Sequence, residues 1–106
     1  MAIKLPKAIE IFFTSGQDVA AFDRCFTADA VVRDEHKTHQ GLAAIKAWRK
    51  ETLEKYQFTA EPVALSEKDG KTVVTAKLSG NFPGSPIELD HSFELAGDRI
   101  AALEIG

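Results

Sequence analysis

Ile9, Phe12 and Phe13 recur at three- and four-residue intervals behind Pro6, a spacing that gathers them on one side of an α-helix. Proline suits the first turn of a helix, where its missing N–H would have no intrahelical partner, so the pattern predicts a helix from Pro6 to Thr14. Ser15-Gly16-Gln17-Asp18 interrupts it. Asp18 is placed to cap a second helix in which Val19, Phe22, Cys25 and Phe26 repeat at helical spacing, and the two form a helical hairpin. After Ala28-Asp29 the period falls to two: Ala30, Val32, Asp34 and His36 share one face of a predicted strand, and Val31, Arg33 and Glu35 take the other. Lys37-Thr38-His39-Gln40-Gly41 reads as a connecting loop. Helical periodicity then returns, with Leu42, Ile45, Trp48, Thr52 and Tyr56 on the apolar side of the longest helix, which ends near Gln57.

Everything beyond Gln57 reads as strands. Thr59 to Glu67, Lys71 to Phe82, Ile87 to Leu95 and Arg99 to Ile105 are separated by turns at Asp69-Gly70, Pro83-Gly84-Ser85-Pro86 and Gly97-Asp98, as in an antiparallel meander. Helices first and hairpin-linked strands afterwards predict an α+β domain with the helices packed on one face of a curved sheet.

Length leaves room for one core only, so residues 1–106 are read as a single domain. An apolar fraction of 44% fills such a core and excludes disorder. The one cysteine, Cys25, has no disulfide partner, and no His/Cys group has zinc-ligand spacing, so the reading includes no metal and no cofactor. Cys25 lies on the predicted buried stripe and reads as core filler. Thirteen basic and sixteen acidic side chains are interleaved, which argues against a nucleic-acid partner. The densest basic stretch, Lys46, Arg49, Lys50 and Lys55, also carries Glu51 and Glu54 at i,i+4 spacing, as on a solvated helix face. The first ten residues carry charges every few positions, unlike a signal sequence or a membrane span, so the expected location is cytoplasmic and away from membranes.

Four stretches occur in a fixed order: Phe26-Thr27-Ala28-Asp29-Ala30-Val31-Val32-Arg33-Asp34, Gly41-Leu42-Ala43-Ala44-Ile45 leading to Trp48, Ser79-Gly80-Asn81-Phe82-Pro83-Gly84-Ser85-Pro86, and Gly97-Asp98-Arg99-Ile100. Together they resemble the SnoaL-like group of the nuclear-transport-factor-2-like superfamily over essentially the whole chain. The resemblance implies three helices packed on a curved, mainly antiparallel sheet that forms a cone with an internal pocket. It also implies a homodimer packed through the sheet, whose outer face carries Val73, Thr75 and Lys77 with Glu88, Asp90 and Glu94. Ketosteroid isomerases, epoxide hydrolases, polyketide cyclases and non-catalytic binding domains share this fold, so membership alone leaves function open.

Asp34 stands where it resembles the catalytic aspartate of the ketosteroid isomerases, at the end of the same Asp-Ala-x-Val-x-Asp wording. Desolvation in an apolar cone would raise a carboxyl above its usual value of about 3.9 and make it a better base near neutral pH. His36 on the same face, about 7 Å along a strand, would serve as its proton partner. The alternative is that Asp34-Glu35-His36 forms a solvated corner. The oxyanion-donating tyrosine of those isomerases would fall near Ile9 and their protonated acid near His91, so their machinery is incomplete here. The Arg-x-Asp arrangement of the epoxide hydrolases does not occur. His91, on an otherwise apolar face with Ile87, Leu89, Phe93 and Leu95, either lines the pocket or is a satisfied core histidine. Trp48 and Tyr56 face the sheet and offer a hydrogen-bond donor each, while Phe12, Val32, Phe82 and Phe93 supply an apolar wall. Thr38 and His39 either rim the mouth or lie in a solvated loop. Two functions follow: an isomerase, cyclase or hydrolase using Asp34 as general base to abstract a proton or activate water next to the carbonyl of a small apolar compound, or a non-catalytic ligand-binding or dimerisation module with the same pocket.

Overall fold

The computed structural model describes residues 5–14, 19–34 and 36–106; the cap expected at Asp18, the break over residues 15–18, the side chain of Val19 and the placement of Glu35 lie outside the described residues. Helix α1 (Lys7–Thr14) starts behind Pro6, whose carbonyl accepts the Glu10 N–H at 2.9 Å, and it buries Ala8, Ile9 and Phe12. A short turn, Val19–Ala21, leads into α2 (Phe22–Cys25), which turns Phe22 and Cys25 inward. Phe26 does not continue that helix. Its backbone is extended (φ −111°, ψ 150°) and opens strand β1 (Phe26–Asp34), pairing in parallel with Ile100 of the last strand. The pairing register shifts between Phe26 and Val31, so clean alternation begins only at Ala30. That irregularity hides the first half of β1 from a periodicity argument.

The segment read as a loop is a strand, β2 (Lys37–Gln40), antiparallel to β1 with Val32 opposite His39 and Asp34 opposite Lys37. Its four polar residues lie at the sheet edge, where backbone pairing alone defines the strand. His36 therefore does not extend the inner face of β1. It is exposed in the turn joining β1 to β2, at a φ of 65°, a left-handed position that reverses the chain.

Gly41, at a φ of 90°, supplies the backbone that leads into α3 (Leu42–Lys55), and its N–H donates to the Ala30 carbonyl at 2.8 Å. The meander follows as β3 (Phe58–Lys68), β4 (Lys71–Gly80), β5 (Ile87–Ala96) and β6 (Arg99–Ile105). Sheet order is β2-β1-β6-β5-β4-β3, with β1 and β6 the parallel pair. Among the described residues, three helices thus pack on a six-stranded, mostly antiparallel sheet that does not close. Pro62 sits on the β3 edge beside a register slip, where a missing N–H is tolerated.

The core lies between helices and sheet. Phe12 is its hub, with ring centroids 5.6 Å from Phe22, 6.0 Å from Phe26 and 5.7 Å from Phe93. Cys25 is fully buried, and burial pushes its thiol up to about 12, so it stays protonated and inert as core filler. Among the described residues no helix is long and apolar enough to cross a membrane.

Candidate functional site

Beside this core, a pocket of about 400 Å³ opens between α1, α3 and the sheet. Helix α1 contributes Phe12 and Phe13, strands β3 to β6 contribute Phe58, Leu78, Leu89 and Ile105, and the β4–β5 connection contributes Phe82 and Pro83. That connection is pinned to the end of α3. The Gln57 N–H donates to Asn81 Oδ1 at 2.9 Å, and the Asn81 N–H returns a bond to the Gln57 carbonyl at 3.1 Å. Gly80 lies at this corner opposite Phe58, and a Cβ there would run into the Gln57 carbonyl oxygen and the Phe58 backbone. The Ser79–Pro86 wording is thus what shapes the rim: Phe82 meets Tyr56 edge-on at 6.1 Å across it.

Asp34 reaches the pocket because β1 alternates: Ala30 and Val32 point into the core, and Asp34, two residues on and half-buried, points to the cavity where the strand ends. Its Oδ2 accepts the indole N–H of Trp48 at 3.1 Å. Trp48 is only 7% exposed, so this bond answers the need of a buried indole donor and ties the end of β1 to α3. Thr52 Oγ1 donates to the Trp48 carbonyl at 2.9 Å one turn on.

Arg49 corrects the reading of a solvated helix face. It is half-buried and lines the pocket, its guanidinium carbon lying 5.3 Å from the Phe12 ring centroid, 5.4 Å from Phe58 and 5.9 Å from Trp48. Burial lowers its pKa from the usual value, and the negative charge of Asp34 opposes that shift through space. Its Nε is buried with no hydrogen-bond partner among the described residues. A signal for this was present: Arg49 stands four residues after Ile45 and three before Thr52, on the inward side of the helix. Lys46 turns instead to Asp23, with Nζ 2.6 Å from Oδ1, joining α3 to α2.

His91 lines the pocket and is 4% exposed, its ring 5.3 Å from Phe13 and its Nδ1 3.1 Å from the Leu89 carbonyl oxygen. Burial is the main influence on it and pushes its pKa down to about 4, so the ring is neutral at pH 7. Below the ordinary value of 6.5 the unfolded chain takes up a proton that the folded chain refuses until pH 4. Stability should therefore be fully present above pH 6.5 and fall by about 3 kcal/mol on acidification to pH 4. Urea melts across that range should show the fall in the wild type and a flatter profile in His91→Phe; superimposable profiles would refute the assignment.

Of the residues singled out in the sequence, Phe12, Asp34, Trp48, Tyr56, Phe82 and His91 meet around the pocket. Val32 and Phe93 do not line it. Both are fully buried in the core, where Phe93 stacks against His91 at 6.3 Å. His36 is also outside it, with Thr38, on a second cavity of about 550 Å³ that Arg33, Lys37 and Glu104 make polar and that Asp34 borders as well. His39 lies against the Trp48 ring at 5.9 Å. Phe13, Arg49 and Phe58 also line the pocket, and none of them is a pocket candidate in the sequence.

The sequence matches the SnoaL-like domain family over residues 9–103. The chain belongs to that family. A candidate polyketide cyclase from Sinorhizobium meliloti is 39% identical to this SnoaL-like domain over 96% of this chain and 95% of its own, with a TM-score of 0.90. Two more distant structures share the fold. A protein with a ketosteroid-isomerase-like fold from Catenulispora acidiphila, solved with trimethylamine, is 15% identical (TM-score 0.81; 97% of this chain, 86% of that one). An LEH-like epoxide hydrolase from M. tuberculosis is 13% identical (TM-score 0.73; 94% and 79%). No curated protein matches the chain. Within this SnoaL-like domain, Ile9 is buried in the core and does not line the pocket.

Proposed function

We propose that this SnoaL-like domain binds a small, mainly apolar carbonyl compound and removes a proton from the carbon next to the carbonyl, with Asp34 as the base. The observation that carries this reading is the Asp34 carboxylate, oriented by the Trp48 indole at the wall of a mainly aromatic and aliphatic pocket. One carboxylate oxygen is held, which sets the orientation of the group. The proton passes to Asp34 and the C–H bonding pair moves toward the carbonyl oxygen, giving an enolate. The 39% identity to a candidate polyketide cyclase supports the enzyme reading.

One observation favours the non-catalytic alternative. His36 lies outside the pocket, on the second cavity that Asp34 also borders, and His91 Nδ1 is engaged by the Leu89 carbonyl, so a ligand held in the pocket would meet Asp34 without His36. A panel of hydrophobic ketones and β-diketones separates the two readings. Ligands should change the emission of Trp48, the single tryptophan, and bound ketones should exchange their α-protons for deuterium in heavy water, followed by NMR. Ligands that shift Trp48 emission without any enzyme-dependent exchange would establish the binding module instead.

A further inference from the structure

Arg49 is a cation with an unmet need. Three rings, Phe12, Trp48 and Phe58, surround its guanidinium and attract its charge, but a ring accepts none of its directional hydrogen bonds well. Asp34 attracts it through space without forming an ion pair with it, and Asp34 Oδ2 is engaged by Trp48. With Nε buried and unpartnered, the terminal amino groups are what the guanidinium has left to offer a ligand. His91 is the other basic side chain on the pocket wall, and it is neutral at pH 7.

We infer that the ligand of this pocket carries a carboxylate on an apolar body, and that Arg49 selects it by pairing the carboxylate with its terminal amino groups. This rests on the pocket taking a small apolar molecule, and it narrows that class to hydrophobic carboxylic acids; for the proposed reaction, to keto acids with an apolar tail. A guanidinium stays charged at neutral pH even when partly desolvated, and its planar donors match a carboxylate. The body of the ligand would lie along Phe58, Leu78, Leu89 and Ile105. A neutral ketone would fill the same space and leave the cation unpaired, which is the basis of the selection.

The test compares 4-phenylbutanoate with its methyl ester and its amide, titrated against the wild-type protein by calorimetry at low ionic strength. The acid should bind at least about tenfold more tightly than either neutral compound, as expected of a charge-assisted contact. Arg49→Met should bind all three alike, and Arg49→Lys should restore part of the preference. Equal or tighter binding of the ester or amide to the wild type overturns the inference, as does binding of none of the three, and both results are read without any variant. Asp34→Asn keeps the cation and removes the base. If it retains the acid preference while the wild type shows no α-proton exchange, only the general-base reading fails; exchange of neutral ketones without an acid preference sinks only the role of Arg49.

Discussion

Phe26→Ala is expected to lower the unfolding free energy by about 3–5 kcal/mol, the range for emptying a buried aromatic site. Phe26 is 0% exposed, with ring centroids 5.1 Å from Phe22 and 6.0 Å from Phe12. Its neighbours belong to different elements: Phe12 to α1, Phe22 to α2, and Ile100, its backbone partner, to β6. No single side chain can collapse into the void without moving its own element, so relaxation recovers little. The loss is a large share of the 5–15 kcal/mol that stabilises an ordinary domain. Urea denaturation should show a lower midpoint at an unchanged slope. Phe26→Leu, which keeps most of the volume, should cost less than half as much; a midpoint unchanged in Phe26→Ala would show that Phe26 is not a core residue.

Asp34→Asn should slow α-proton exchange by roughly 10²–10⁴-fold, the usual contribution of a positioned base. The amide has the shape of the carboxylate, and its oxygen still accepts the Trp48 indole N–H, so the fold should hold. A charge-assisted bond becomes a neutral one, which costs about 1 kcal/mol or less. Asp34→Ala is the informative contrast. It leaves a buried indole donor with no acceptor, a penalty of about 1–3 kcal/mol. Exchange measurements and thermal melts on both variants therefore separate chemistry from support. Undiminished exchange in Asp34→Asn would remove Asp34 as the base, whatever its stability.

How much of this was readable in the chain follows from which interactions are local. Pro6, the Asp69-Gly70 and Gly97-Asp98 turns and the apolar stripe of α3 located α1, α3 and the four-strand meander, because turn chemistry and helical period are carried by residues close together in sequence. The alternation Ala30, Val32, Asp34 likewise turned the acid toward the inner face. Three features were decided only by tertiary structure. Phe26 is apolar at a spacing that fits either a helix end or a strand start, and its parallel pairing with Ile100 settles it as strand. Lys37–Gln40 is a strand through backbone bonds to β1, which need no particular side chains. Arg49 sits among exposed charges in sequence, yet rings from α1 and β3 close around its guanidinium and take it out of water. Periodicity says which way a side chain points from its own element, whereas its solvent is set by what packs there from elsewhere; the inward aspartate could be read in the sequence, and the ring-enclosed, half-buried surroundings of the cation on the same pocket wall came only with the fold.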